Sequence, residues 1–157
     1  MKKLVDDFYV INRKRIEKIV SFGLQEVFSD RLLRITTEVA NRRGKTHLDI
    51  FTVDDEHGVK GKTERSFGDS ILWVESFLLL ATFIVLLKRK PVCFLDEKFK
   101  AVANDYQASV GKMISNLCKE LGLTVCLITH NPEILEYADR IYKATLEDGN
   151  KLLLKEQ

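Results

Sequence analysis

Between Ile71 and Leu87 the chain reads ILWVESFLLLATFIVLL, seventeen residues whose single charge is Glu75, followed at once by Lys88-Arg89-Lys90. A helix that is apolar on every side must be surrounded, either by the rest of a protein or by lipid. Its length and basic flank sit at the lower edge of what a membrane span needs. Glu75 and Ser76 inside the run, and a new apolar strand soon after it, argue for protein. The stretch therefore predicts a helix over about 69–88 at the centre of an α/β domain, and no membrane partner. A small membrane-attached protein hung on residues 71–87 is the competing reading.

The segments on either side agree with a central helix. Ile16, Ile19, Val20, Leu24, Val27 and Phe28 fall at helical spacing with Arg15, Glu17, Lys18 and Glu26 between them, so an amphipathic helix spans roughly 3–28. Two β-branched stretches, about 32–39 and 46–53, flank NRRG and read as an antiparallel hairpin. The polar run DDEHGVKGKTERSFGDS reads as a loop. After the long helix the rhythm is strand, helix, strand, helix, strand. VCFLD and LTVCLIT are short buried strands, and Tyr106, Val110, Met113, Ile114, Leu117 and Leu121 mark a helix stopped by Gly122. Asn131 caps a helix that has Pro132 at its first position. RIYKATLEDGNKLLLKE closes as a hairpin turning at Asp148-Gly149. Alternating buried strands and helices predict an α/β fold with parallel strands, and the hairpins add antiparallel pieces.

Composition sets outer limits. A chain of 157 residues, 45% hydrophobic and 31% charged, reads as one ordinary globular domain. With 25 Lys+Arg against 23 Asp+Glu, the net charge of +2 excludes a surface that coats polyanions wholesale. Any nucleic-acid contact is then local, and Arg13-Lys14-Arg15, Arg42-Arg43 with Lys45, and Lys60, Lys62 and Arg65 are the candidate clusters. Cys93, Cys118 and Cys126 lie in apolar runs without CxxC spacing, which reads as reduced core thiols. MKKLVDDFYVINRKR is charged throughout and has no signal-peptide core, so the expectation is a cytoplasmic protein.

Three places carry chemistry. VCFLDE ends a strand on Asp96 and Glu97 at the carboxyl edge of a sheet, where open α/β folds bind ligands. One carboxylate there can hold magnesium and the next can polarise a water aimed at a phosphate. VCLITH brings His130 to the same edge one strand-helix unit later, where it can hydrogen-bond a γ-phosphate or the attacking water. RSFGD, residues 65–69, opens the long helix, so backbone N–H groups and the helix dipole favour an anion beside it.

Taken together, RSFGD, the long helix, VCFLDEKFKAVAND and LITHNPEILEYADRI resemble the signature motif, Walker B, D-loop and switch histidine of ABC-type ATPases. The likeness is to the C-terminal lobe of the SMC and double-strand-break-repair ATPases, phage recombination proteins included, and it covers nearly the whole chain. It implies an ATP- and Mg2+-dependent ATPase head, with 1–28 as the end of a returning coiled-coil arm, 32–53 as a β-hairpin, and 65–157 as the signature, Walker B and switch-histidine region of a single lobe. Asp96 would serve the metal. Glu97 would be the water-polarising carboxylate and His130 the γ-phosphate switch. Ser66, Gly68 and Asp69 would face nucleotide held mainly by the opposite subunit, and Lys100 to Asn104 would be the D-loop. The family has Ser-Gly-Gly followed by Glu or Gln where this chain has Ser66-Phe67-Gly68-Asp69.

A Walker A sequence, G-x-x-x-x-G-K-[ST], is missing. Gly44-Lys45-Thr46 and Gly61-Lys62-Thr63 carry its last three residues, but Val39 and Glu56 stand where its first glycine belongs. Neither triplet is expected to follow a strand and open a helix. The likeness therefore implies a Walker A-bearing lobe on another chain or on a segment absent here, an ATP-dependent dimer, DNA near the arm base, a nuclease as a further candidate partner, and a role in DNA repair, recombination or end processing. The alternative function is a catalytically silent interaction subunit of such a complex.

Overall fold

The computed structural model describes the backbone of residues 2–147 and 151–157, and the side chains of residues 11–145 and 153–157. Helix α1 (Lys2–Val27) turns one stripe inward: Ile16, Val20, Leu24 and Val27 are buried at successive turns. The stripe lies mainly on strand β1 (Leu33–Arg42) and the central helix α3 (Asp69–Leu86). Gly23 allows close contact with α3, because a Cβ at that position would come within 2.3 Å of the Leu78 side chain. The side chains of residues 2–10, the first part of the helix expected to end a returning arm, lie outside the described ones.

Strands β1 (Leu33–Arg42) and β2 (Lys45–Asp54) pair in antiparallel register from Leu33 opposite Asp54 to Arg42 opposite Lys45. The turn uses Arg43 and Gly44, both at positive φ (50° and 74°), the combination that matches strand twist in a two-residue hairpin. Alternation puts Leu33, Ile35 and Thr37 inward against α1. There Glu17 Oε1 accepts from both the Thr37 amide and its hydroxyl at 2.7 Å, and Ser21 Oγ accepts from the Ile35 amide.

The polar stretch read as a loop is more ordered than expected. Residues Val59–Gly61 form β3 along β2, and Thr63–Ser66 form a one-turn helix, α2. Three strand residues in a polar run leave no period to detect. This also corrects the view of the second GKT triplet: β3 ends at Gly61 and α2 opens at Thr63. It is still no phosphate loop. Lys62 is held by Asp49 at 3.2 Å, and the Thr63 hydroxyl is buried among side chains.

Among the described residues α3 is the one helix long and apolar enough to cross a membrane, with mean hydropathy 1.9 over 18 residues. Its inward side, Ile71, Val74, Phe77, Leu78 and Ala81, is buried in the core shared with α1, so packing accounts for much of its apolar content. Beyond it come β4 (Val92–Asp96), a single 3-10 turn (Asn104–Tyr106), α4 (Gln107–Leu121) and β5 (Thr124–Ile128). Gly122 ends α4 at φ 64°, the left-handed cap for which glycine is favoured. Asn131 caps α5 (Pro132–Leu135) by accepting from the Glu133 amide at 2.9 Å. Strands β6 (Tyr142–Glu147) and β7 (Lys151–Glu156) pair antiparallel, and the expected turn at Asp148-Gly149 lies outside the described residues.

The buried-strand expectation for β4 and β5 holds for one face only. The two strands form an isolated parallel pair. Cys93 and Leu95 point into the core, whereas Phe94 is 79% exposed and Ile128 62% exposed. Cys126, opposite Phe94, is exposed too, so one of the three thiols is not the core residue its neighbours suggested. Parallel sheets ordinarily bury both faces. Here nothing among the described residues covers the second face.

Candidate functional site

Asp96 is the last residue of β4 and sits opposite Ile128 in the register, on the same pleat face as Phe94. Its side chain has no hydrogen-bond or ion-pair partner among the described residues. Glu97 then leaves the strand with φ 41°, left-handed for a residue with a Cβ, and its amide donates to the Ile128 carbonyl at 2.9 Å. A strained backbone held by a specific bond is a mark of a constrained site. That twist carries the Glu97 side chain to the end of β5, where its Oε1 is 3.3 Å from Nδ1 of His130. Its Oε2 accepts from Lys100 Nζ at 3.2 Å. Glu97 is 42% exposed and His130 72% exposed, so both are open to a ligand.

Lys100, and after it His130, hold the Glu97 carboxyl below the ordinary carboxylate range. It is ionised at neutral pH, so it can accept a hydrogen bond from water and orient it, while its lowered pKa makes it a weak base. Lys100 was expected only as the start of a D-loop. Its spacing from Glu97 was the available signal for this contact.

The segment after Glu97 is anchored on the core. Phe99 is buried edge-to-face on Phe77, with ring centroids 5.5 Å apart, and Gln107 Nε2 donates to the carbonyls of Phe99 and Val102. The Lys98 ammonium lies 4.0 Å from the Trp73 ring centroid, and the Ala103 amide donates to Ser70 Oγ at 3.1 Å. The first turns of α3 thus brace the segment expected to be the D-loop.

Ser66 ends α2, and Gly68 is the N-cap of α3 with Asp69 in its first turn; all three are exposed. Phe67 between them has φ −131° and ψ 163°, extended backbone that any residue adopts, so the side chain imposes no backbone conflict there. Gly68 has open space where a Cβ would stand. An open cleft beside the loop is bordered by Arg31, His57 and Arg65 as well as Ser66 and Gly68. Arg31 pairs with the buried Asp54, and that bond is the main reason the Asp54 pKa falls to about 2. No hydrogen bond or ion pair joins Ser66, Gly68 or Asp69 to Asp96, Glu97 or His130 among the described residues. The expected site residues form two groups, one at the edge of β4 and β5, the other at the start of α3.

No protein-family profile matches the chain. Solved structures with a similar fold are SMC heads. The Smc head of Pyrococcus furiosus with an extended coiled coil, bound to the C-terminal domain of ScpA, superposes with TM-score 0.76 at 15% identity over 99% of this chain and 38% of that one. The SMC head domain of Thermotoga maritima gives 0.63 at 17% identity over 99% and 52%. A structure from work on ATP-driven dimerization and DNA-stimulated activation of SMC ATPases gives 0.69 at 15% identity over 94% and 89%. Curated relatives by sequence are ABC import proteins. The thiamine import ATP-binding protein ThiQ of Haemophilus influenzae is 37% identical over 57 residues, 36% of this chain and 26% of that protein. The Fe(3+) ions import ATP-binding protein FbpC of Pseudomonas fluorescens is 35% identical over 65 residues, 41% and 18%. The matched stretches thus span about a quarter or less of those relatives. The chain has the fold of the C-terminal lobe of an SMC/ABC-type ATPase head.

Proposed function

We propose that this chain is the C-terminal half of an SMC-like ATPase, completed by a Walker A-bearing lobe on another chain or on a segment outside this sequence, and acting on DNA in repair, recombination or end processing. The observation that carries the reading is the pairing of Glu97 with His130 at the carboxyl edge of β4 and β5, beside a parallel sheet whose other face nothing among the described residues covers. Asp96 opens onto that face, toward the lobe that would cover it.

The donor set fits Mg-ATP. An unpartnered carboxylate, an ionised carboxylate and an exposed histidine share one edge, and the exposed start of α3 offers an anion site apart from it. Bound Mg-ATP would supply the phosphoryl group and the charge neutralisation for its transfer. In this chain Asp96 would hold the metal. Glu97 would accept a hydrogen bond from the water and orient it, steadied by Lys100. His130 would reach toward the terminal phosphate, and Ser66, Gly68 and Asp69 would present the loop to nucleotide held by a second head. The separation of the two groups within one chain supports use of the second group in trans, hence an ATP-dependent dimer.

If this face receives the other lobe, Phe94→Asp together with Ile128→Asp should abolish co-purification with a co-expressed Walker A-bearing lobe. The circular dichroism of the chain should stay unchanged, since both side chains already face solvent. Undiminished co-purification of the double variant would remove this face as the docking surface.

A further inference from the structure

Glu75, the one charge in the central apolar run, is 5% exposed. Its Oε2 is in hydrogen-bond contact with Thr52 Oγ1 and, at 2.9 Å, with Thr63 Oγ1, and those two hydroxyls are 2.7 Å from each other. Three oxygens in mutual contact need three protons, one for each side of the triangle. Each threonine hydroxyl has one to give. An ionised carboxylate adds none, and one side would then set lone pair against lone pair in a buried place. With a proton on the carboxyl the ring closes: Glu75 donates to one hydroxyl, that hydroxyl to the other, and the second back to the carboxyl.

We propose that Glu75 is a positioning residue for the Ser66–Gly68 loop, acting as a neutral acid whose proton completes this ring. Thr63 is the first residue of α2 and Ser66 the last, and the Phe67 amide donates to the Thr63 carbonyl at 3.1 Å. The ring ties that short helix to β2 through Thr52 and to α3 through Glu75. The loop is thereby fixed from its buried side while its outer side stays open.

The surroundings favour the protonated form. Burial is the largest influence and raises the Glu75 pKa, hydroxyls donated by Thr52 and Thr63 to an ionised carboxylate would lower it, and the nearby negative charge of Glu64 on α2 adds to the rise. Lys62 borders the same cavity, but its ammonium is engaged by Asp49 of β2, and Leu48, Leu72 and Leu79 bring no charge. For an acid whose folded pKa is raised, the stabilising contribution is complete below its unfolded value and is lost as pH rises through the folded one. The loop should therefore loosen as pH rises through the raised Glu75 pKa.

The functional meaning rests on reading Ser66–Gly68 as the nucleotide-facing loop, so the ring is measured without nucleotide. Amide hydrogen exchange of the full chain, read at Ser66 and Phe67 and corrected for the intrinsic pH dependence of exchange, is compared between wild type, Glu75→Gln and Glu75→Ala. Glu75→Gln keeps an N–H donor at every pH. It should match wild type while Glu75 is protonated and hold its protection as pH rises through the raised Glu75 pKa, where wild type loses about three- to tenfold, the worth of roughly one hydrogen bond. Glu75→Ala should lose protection throughout. Wild type and Glu75→Gln running parallel across the whole range would overturn the proposal, and so would wild-type protection in Glu75→Ala. Should Glu75→Ala fail to fold, the first comparison decides alone. Turnover in the assembled ATPase is a separate readout, and its absence beside an intact ring would count against the reading of the loop.

Discussion

Glu97→Gln in the assembled ATPase is expected to slow hydrolysis by about 10²-fold or more while nucleotide still binds. The substitution keeps the shape of the side chain and removes the charge that Lys100 and His130 stabilise. An uncharged amide polarises a water far less than a carboxylate does. Because nucleotide would then persist between one Walker A and the Ser66–Gly68 loop of the other head, an ATP-dependent dimer should accumulate. Size-exclusion chromatography with ATP and with ADP reads it directly. Hydrolysis at the wild-type rate would remove the catalytic role of Glu97. Loss of hydrolysis without a dimer would keep that role and place the fault in the loop, where Phe67 stands between Ser66 and Gly68 along the open cleft.

Phe77→Ala is expected to cost about 3–5 kcal/mol of stability, the usual range for emptying a well-packed aromatic site. Phe77 is wholly buried, and its ring meets Phe99 edge-to-face. The loss is a large share of the roughly 5–15 kcal/mol that holds a typical domain folded. It reaches the site as well, since Phe99 is the core anchor of the segment leaving Glu97. Urea denaturation of wild type and variant gives the difference. A cost below about 1 kcal/mol would mean that α3 and the segment after β4 are not packed as described.

The sequence made legible those features that local chemistry dictates. The stripe of Ile16, Val20 and Leu24 follows from helical period alone, Gly122 ends α4 through a left-handed cap, and Asn131-Pro132 open α5 as capping and proline geometry require. Asp96, Glu97 and His130 could be placed at one sheet edge because two short apolar strands end on them. What stayed hidden depends on neighbours distant in sequence. β3 exists because β2 offers it an edge, which three polar-flanked residues do not announce. Phe94 and Ile128 are apolar and so read as buried, but nothing local says that their side of the sheet is left exposed among the described residues. Glu75 was visible as a charge inside an apolar run, while its partners Thr52 and Thr63 are brought to it only by the hairpin and α2.

If the hydrolytic site is divided between this lobe and another that carries the Walker A loop, neither part should hydrolyse ATP alone. Phosphate release from ATP, measured for the pure chain and for the chain assembled with a Walker A-bearing lobe, tests it most directly. The chain alone should show no turnover, because neither Lys45 in β2 nor Lys62 beside Asp49 lies in a phosphate-cradling loop. The assembly should turn ATP over. Robust turnover by the pure chain, abolished by Lys45→Ala or Lys62→Ala, would contradict a divided site.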